Sequence, residues 1–231
     1  MFQLSYFHKI IVLFLTLCLS FDVLATQLKA GIVNYNFFPY HTRDADGQFS
    51  GVIVGYSNEI ARLAEADLEY RVYDSLDELL DALKVGEIDF AVGLNKTAQR
   101  KKHFLFSTPF MEAPRGIVAN QSIANDALKN LASLRWVCIT GSSHCEYLVE
   151  NGALFINRFI KPEDAIKKVA DGSFDAFMGD YSVLSHQLKN RSQENLKVVS
   201  PVWLSSETLH VMFNKNKTCL LYTSDAADDL L

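Results

Sequence analysis

Arg100 closes a polar loop, Gly93-Leu-Asn-Lys-Thr-Ala-Gln-Arg100, and its planar guanidinium can donate two parallel hydrogen bonds to a carboxylate. A solvated arginine beside Lys101 and Lys102 is the plainer alternative. Asn95 and Thr97 add polar groups to the same loop, and Gly93 lets backbone approach a bound molecule closely. Farther along, Gly141-Ser-Ser-His144 lies between a strand expected at Trp136 to Ile139 and a helix expected from about Cys145. Hydroxyls and free backbone N–H groups at such a helix start attract an anion, although a capping loop would look the same. Asp180 ends a buried apolar run where the carboxyl ends of parallel strands open into a crevice. It either faces that crevice or caps a helix starting near Tyr181. Tyr35 and Phe37 form a binding wall or a local hydrophobic cluster.

Enzyme chemistry finds little support. The six histidines have no metal-ligand spacing with acidic or cysteine partners, so no metal is expected. Gly141-Ser-Ser lacks the flanking pattern of a nucleophile elbow. Gly31 and Gly51 build no dinucleotide fingerprint and there is no phosphate-binding loop, so no cofactor is expected either. Asp89 and Asp175 read as turn or strand-start residues, not as a paired acid and base.

The elements that must position these residues come from a chain of 231 residues, 49% hydrophobic and 21% charged, long enough for a substantial core. A formal charge of −5 without a basic run excludes an electrostatic footprint for nucleic acid or an anionic membrane. Lys9, the apolar run Ile10 to Leu19 and the small-residue end Val23-Leu-Ala25 read as a cleavable secretory signal over residues 1–25. Cys219 to Asp229 resembles an in-frame translation of a sequencing adapter, so residues 219–231 are expected to be a non-native tail. Setting aside one lysine and one aspartate in 1–25 and three aspartates in 219–231 leaves 21 basic against 23 acidic residues. Cys138 and Cys145 then remain, either as a short disulfide suited to an oxidising compartment or as two free thiols.

Strand and helix signals alternate. Leu28 to Val33 reads as a strand, Ser57 to Ala66 as a helix and Glu69 to Tyr73 as a strand. Ser75-Leu-Asp-Glu78 is a capping box opening a helix with a stripe of Leu76, Leu79, Leu80 and Leu83. Gly86 ends it before the strand Ile88 to Val92. The segment Gly86-Glu-Ile-Asp-Phe-Ala-Val-Gly93 is echoed by Gly172-Ser-Phe-Asp-Ala-Phe-Met-Gly179, each after an amphipathic helix, the second helix opening at Pro162. Two such copies imply two similar lobes. The proline-containing stretch Phe106 to Pro114 and the extended stretch Thr208 to Phe213 would carry the chain between them.

The loop Gly93 to Arg100 followed by Phe106-Ser-Thr-Pro-Phe110, together with Asp46-Gly-Gln-Phe-Ser-Gly51 and Gly179-Asp-Tyr181, resembles the family 3 bacterial extracellular solute-binding proteins. The resemblance covers about residues 28–218. It implies an α/β, two-lobed periplasmic-binding-protein-like (type II) fold, each lobe a mainly parallel sheet flanked by helices, joined by two hinge strands. Lobe 1 is expected over 26–110, with 209–218 returning to it, and lobe 2 over 111–208. It further implies capture of an amino-acid-like solute in the periplasm, for an inner-membrane ABC permease or, alternatively, a downstream signalling domain. A dehydratase or cell-wall lytic relative is a third possibility on the same fold.

A free amino acid carries a carboxylate and an ammonium on one carbon, and a receptor that excludes water must neutralise both. The resemblance places Arg100 on the carboxylate with Ser143 and its neighbour His144, Asp180 on the ammonium, and Phe37 over the ligand stem. Leu76 falls where relatives often have an aromatic lid. Val52-Ile-Val-Gly55 lacks the aspartates usual in transport members, which allows a ligand other than the standard polar amino acids.

Overall fold

The computed structural model describes residues 26–189, 195–218 and 220–222. The signal sequence read at 1–25 therefore lies outside the described residues, as do 219 and 223–231 of the expected tail. Leu220 is described and packs on the core of the first lobe.

In chain order the first half contains β1 (Thr26–Val33), β2 (Thr42–Arg43), β3 (Phe49–Ser50), α1 (Val52–Leu63), β4 (Ala66–Tyr73), α2 (Leu76–Val85), β5 (Phe90–Asn95), α3 (Ala98–Lys101), β6 (Phe104–Phe106) and β7 (Met111–Ala113). The second half contains β8 (Arg115–Asn120), two short 3₁₀ turns, β9 (Arg135–Ile139), α4 (Ser143–Glu150), β10 (Phe155–Phe159), α5 (Pro162–Ala170), β11 (Ala176–Asp180), α6 (Tyr181–Lys189), β12 (Leu196–Val199) and β13 (Glu207–Asn214).

These elements build two lobes. One sheet runs β4-β1-β5-β13-β6, with β7 also on β13, and the other runs β10-β9-β11-β8-β12. In each, three strands are parallel, β4-β1-β5 and β10-β9-β11, because helical crossovers return the chain to the same edge. β13 and β8 enter antiparallel, so both sheets are mixed. The middles of the central strands are mostly apolar because both faces are covered: Ile117, Val118 and Ala119 of β8 are fully buried.

The repeat extends to single atoms. The Asp89 carboxylate accepts from Lys29 N at 2.8 Å, and its own N–H donates to Lys29 O at 2.9 Å. Asp175 does the same with Arg135, at 2.8 and 2.9 Å. Each aspartate stands just before the inner strand of its lobe and fastens it to the neighbouring parallel strand, at Lys29 within β1 and at Arg135 at the start of β9.

Boundaries differ from the sequence reading in informative places. α1 begins at Val52, five residues before the expected start; Gly51 stands at its N-cap and has no side chain to mark the position. α2 starts as expected, Ser75 Oγ accepting from Glu78 N at 3.2 Å, but the Glu78 carboxylate accepts from Asp74 N, not from Ser75 N. Its buried face is Leu79, Ala82 and Leu83, with Leu76 and Leu80 only half-buried. Gly86 closes α2 in the left-handed conformation at φ 81°, which a side chain would disfavour.

The two crossings lie side by side. β7 pairs with the start of β13, Glu207 opposite Ala113, and Arg115 Nη2 meets Glu207 Oε1 at 2.6 Å. Cys138 and Cys145 are bonded, with Cα atoms 5.4 Å apart, which decides between the two cysteine readings.

Candidate functional site

The carboxyl ends of β1 and β5 in one lobe face those of β9 and β11 in the other, and a cleft lies between them. Of the nine residues singled out in the sequence, eight line it: Arg100, Asp180, Ser143, Asn95, Phe37, Gly93, His144 and Leu76. Thr97 does not. Its hydroxyl caps α3, accepting from Arg100 N at 3.2 Å, and the residue faces a separate polar hollow beside the hinge. A threonine before a short helix is better placed to satisfy an orphan N–H than to reach the cleft.

Arg100 is no surface residue, being 4% exposed despite the lysines that follow it. Nη1 donates to Asn95 O and Nη2 to Gly141 O, both at 2.8 Å, and the second bond crosses between lobes. Nε has no hydrogen-bond partner among the described residues, and Glu146 Oε1 lies 3.9 Å away. Burial weighs against the guanidinium charge, and Glu146, Glu207 and Asp77 offset it. Five N–H donors with two in use leave three for an incoming anion.

Opposite Arg100, α4 begins at Ser143, two residues earlier than expected. Ser142 is its cap, accepting from Cys145 N at 3.3 Å, so Ser143 and His144 sit in the first helical turn. The Ser143 hydroxyl has two acceptors in reach, Asn95 Oδ1 at 2.9 Å and Glu207 Oε2 at 3.0 Å. His144 Nε2 lies 3.3 Å from the same Glu207 oxygen. Burial holds the His144 imidazole below its ordinary range. The Cys138–Cys145 disulfide encloses this whole turn.

Asp180 meets both of its sequence readings. One carboxylate oxygen accepts from Val183 N at 3.1 Å, as a helix-capping aspartate would, and the residue also lines the cleft. The other oxygen accepts from the Tyr40 hydroxyl at 2.8 Å across the lobes. Burial raises the Asp180 carboxyl above the ordinary carboxylate range, and the bonds from Tyr40 and Val183 oppose that rise. Phe37 likewise does both things attributed to it: it lines the cleft and packs among Tyr35, Tyr40 and His41, with ring centroids 5.5 to 6.3 Å apart.

Sequence reasoning passed over Glu207, Arg115, Tyr40 and His41. Glu207 is a carboxylate at the entry of the second crossing, and Arg115 a guanidinium at the exit of the first. A charge at each end of the two crossings was their only mark in the sequence, and nothing local pairs the two. Tyr40 and His41 were hidden in an aromatic loop whose apolar members drew the attention. Among the described residues no group of three or more His, Cys, Asp or Glu is arranged to hold a metal ion.

The model of the bacterial extracellular solute-binding proteins, family 3, matches residues 29–220. The chain belongs to that family. Among curated relatives of this family 3 protein, the arginine-binding periplasmic protein of Mannheimia haemolytica is 25% identical over 187 residues, 80% of this chain and 76% of the relative. The ABC transporter arginine-binding protein 1 of Escherichia coli (strain K12) is 21% identical, covering 75% and 73%. The arginine-bound form of a truncated ArgBP from T. maritima superposes with a TM-score of 0.77 at 25% identity, covering 89% and 96%. The two-lobed architecture is thus the family's own.

Proposed function

We propose that this family 3 protein is exported and captures a small amino-acid-like solute between its lobes for delivery to an ABC-type permease, without transforming it. One observation carries the reading: a buried guanidinium with unused donors and a buried carboxylate, Arg100 and Asp180, line one cleft from opposite lobes. The solute carboxylate docks on Arg100, assisted by the Ser143 hydroxyl and the N-terminus of α4. Its ammonium docks on Asp180. Phe37 and Leu76 cover the apolar stem, while Gly93, Asn95 and His144 shape the floor. Water leaves as the lobes close, which strengthens both ionic contacts. The relatives that bind arginine, one of them named for an ABC transporter, support an amino acid as cargo. The order of Lys9, the apolar run Ile10 to Leu19 and the small-residue end Val23-Leu-Ala25 supports export.

The test is a thermal-shift panel of amino acids on the folded chain. A true ligand at about 100 times its dissociation constant adds about 2.7 kcal/mol, worth roughly 5–11 °C in a domain of this size. A panel in which no amino acid raises the melting temperature overturns the proposal.

A further inference from the structure

Arginine, the cargo of the relatives above, would bring a second positive charge into the cleft, so the groups that could receive it decide the class of ligand. Apart from Arg100 and Asp180, the ionisable side chains of the lining are His41, His144 and Tyr35. Burial holds both imidazoles below their ordinary range and the Tyr35 phenol above its own, which keeps all three uncharged. His144 leans on Glu207, toward the hinge.

His41 is 2% exposed, and its Nε2 lies 3.2 Å from Val33 O and 2.9 Å from Tyr35 O. Two carbonyl oxygens at one nitrogen require the proton there, which leaves Nδ1 as a lone-pair acceptor. That atom is buried and has no partner among the described residues. It can accept from a neutral N–H or O–H, but it offers no counter-charge.

The Tyr35 ring stands in a wall with Phe37, Ile53, Leu76 and Pro162, and most of the rest of the lining is also apolar. Two acidic residues follow members of this wall in sequence, and both already have partners outside the lining. Asp77, after Leu76, holds Thr140 Oγ1 across the lobes, and Glu163, after Pro162, accepts from Gln187 Nε2 at 3.1 Å; their charges act on Arg100 and on the Tyr35 phenol respectively, but neither carboxylate lines the cleft. An extra charge shut into such a space without a counter-ion in contact with it is strongly disfavoured whichever its sign.

We infer that the cleft selects an amino acid whose side chain is uncharged and predominantly apolar, and rejects both cationic and anionic side chains. This rests on the amino-acid clamp proposed above and narrows its ligand class.

Titration calorimetry of the folded chain with leucine, phenylalanine, arginine, lysine and glutamate tests it. Leucine or phenylalanine should bind at least ten-fold more tightly than any of the three charged amino acids. Arginine, lysine or glutamate binding as tightly as the better neutral one overturns the selection while leaving the clamp standing; silence from all five overturns both. Leu76→Asp supplies the missing counter-charge at the first position of α2, where an acidic residue also suits the helix dipole. It should raise arginine affinity at least ten-fold and lower that of leucine. A variant that still binds leucine yet gains nothing for arginine overturns the assignment of this wall to the ligand side chain.

Discussion

Arg100 and Gly141 are joined directly across the two lobes, Nη2 of the one donating to the carbonyl of the other at 2.8 Å. Gly141 reaches this position at φ 72°, and a Cβ there would collide with Asp77 of the first lobe. A left-handed glycine thus turns the β9–α4 loop so that its carbonyl meets the arginine while Ser142, Ser143 and His144 line the cleft. The residue proposed to grip the solute also fastens the lobes that enclose it.

That double engagement predicts a specific outcome for Arg100→Lys. Lysine keeps the charge but lacks the planar fork, so it cannot hold Asn95 O, Gly141 O and a carboxylate together. Charge-assisted hydrogen bonds contribute roughly 1.5–3 kcal/mol each, so solute affinity should fall about 10- to 100-fold. Denaturant unfolding without solute should also show a loss, from the two abandoned carbonyls. Unchanged affinity by calorimetry would remove Arg100 from the carboxylate site.

The disulfide offers a second handle on the same loop. Closing about seven residues removes roughly 2.4 kcal/mol of unfolded-chain entropy on the loop-closure relation. Cys138→Ser with Cys145→Ser, or reduction, should therefore destabilise the protein by about that amount, checked by chemical denaturation. Because Ser142, Ser143 and His144 lie within the ring, affinity should weaken as well. A loss of stability with binding intact would mean that hydrogen bonds alone hold the turn in place.

Two buried neutral histidines set the response to acid. Burial holds His41 and His144 below the ordinary imidazole range in the folded state. The unfolded chain therefore binds more protons as pH falls through that range, and stability drops with it, until the depressed folded values are passed. Two protons correspond to at most about 2.7 kcal/mol per pH unit. Denaturation midpoints from pH 7.5 to 5 should fall, and His144→Gln should fall less steeply. A flat profile would contradict the neutral assignment.

How far the residues announced this arrangement depends on the physics each one obeys. Ser75 and Gly86 marked the ends of α2 because caps are local, satisfied by groups three or four residues away. Asp180 and Ser143 were readable because strand-end and helix-start positions fix which groups face a crevice, and Arg100 because its forked donors and the family resemblance both pointed to a carboxylate. Thr97 looked identical in type but served the nearest orphan N–H. Glu207 could not be placed, since its partners Arg115, Ser143 and His144 are brought to it only when β13 returns to the first lobe. The start of α1 was missed for a related reason: Gly51 provides no capping side chain, so there was no local mark to find.

Tyr40 and Asp180 carry the last prediction. The Tyr40 hydroxyl donates to Asp180 at 2.8 Å, from the loop of one lobe to the strand end of the other. Burial raises the Asp180 carboxyl above its ordinary range, and this bond counters the rise by favouring the ionised form. A cationic ammonium needs that ionised form. Solute affinity should then fall as pH drops, beginning at a pH above the ordinary carboxylate range, because protons and solute compete for one carboxylate. Removing the donor with Tyr40→Phe leaves the carboxylate less supported, so the midpoint should move to higher pH by about one unit if the bond contributes roughly 1.4 kcal/mol. Asp180→Asn should abolish both the pH dependence and most of the affinity. Calorimetry from pH 4 to 8 reads all three, and a Tyr40→Phe midpoint that stays put or moves down would show that Asp180 does not rely on the phenol.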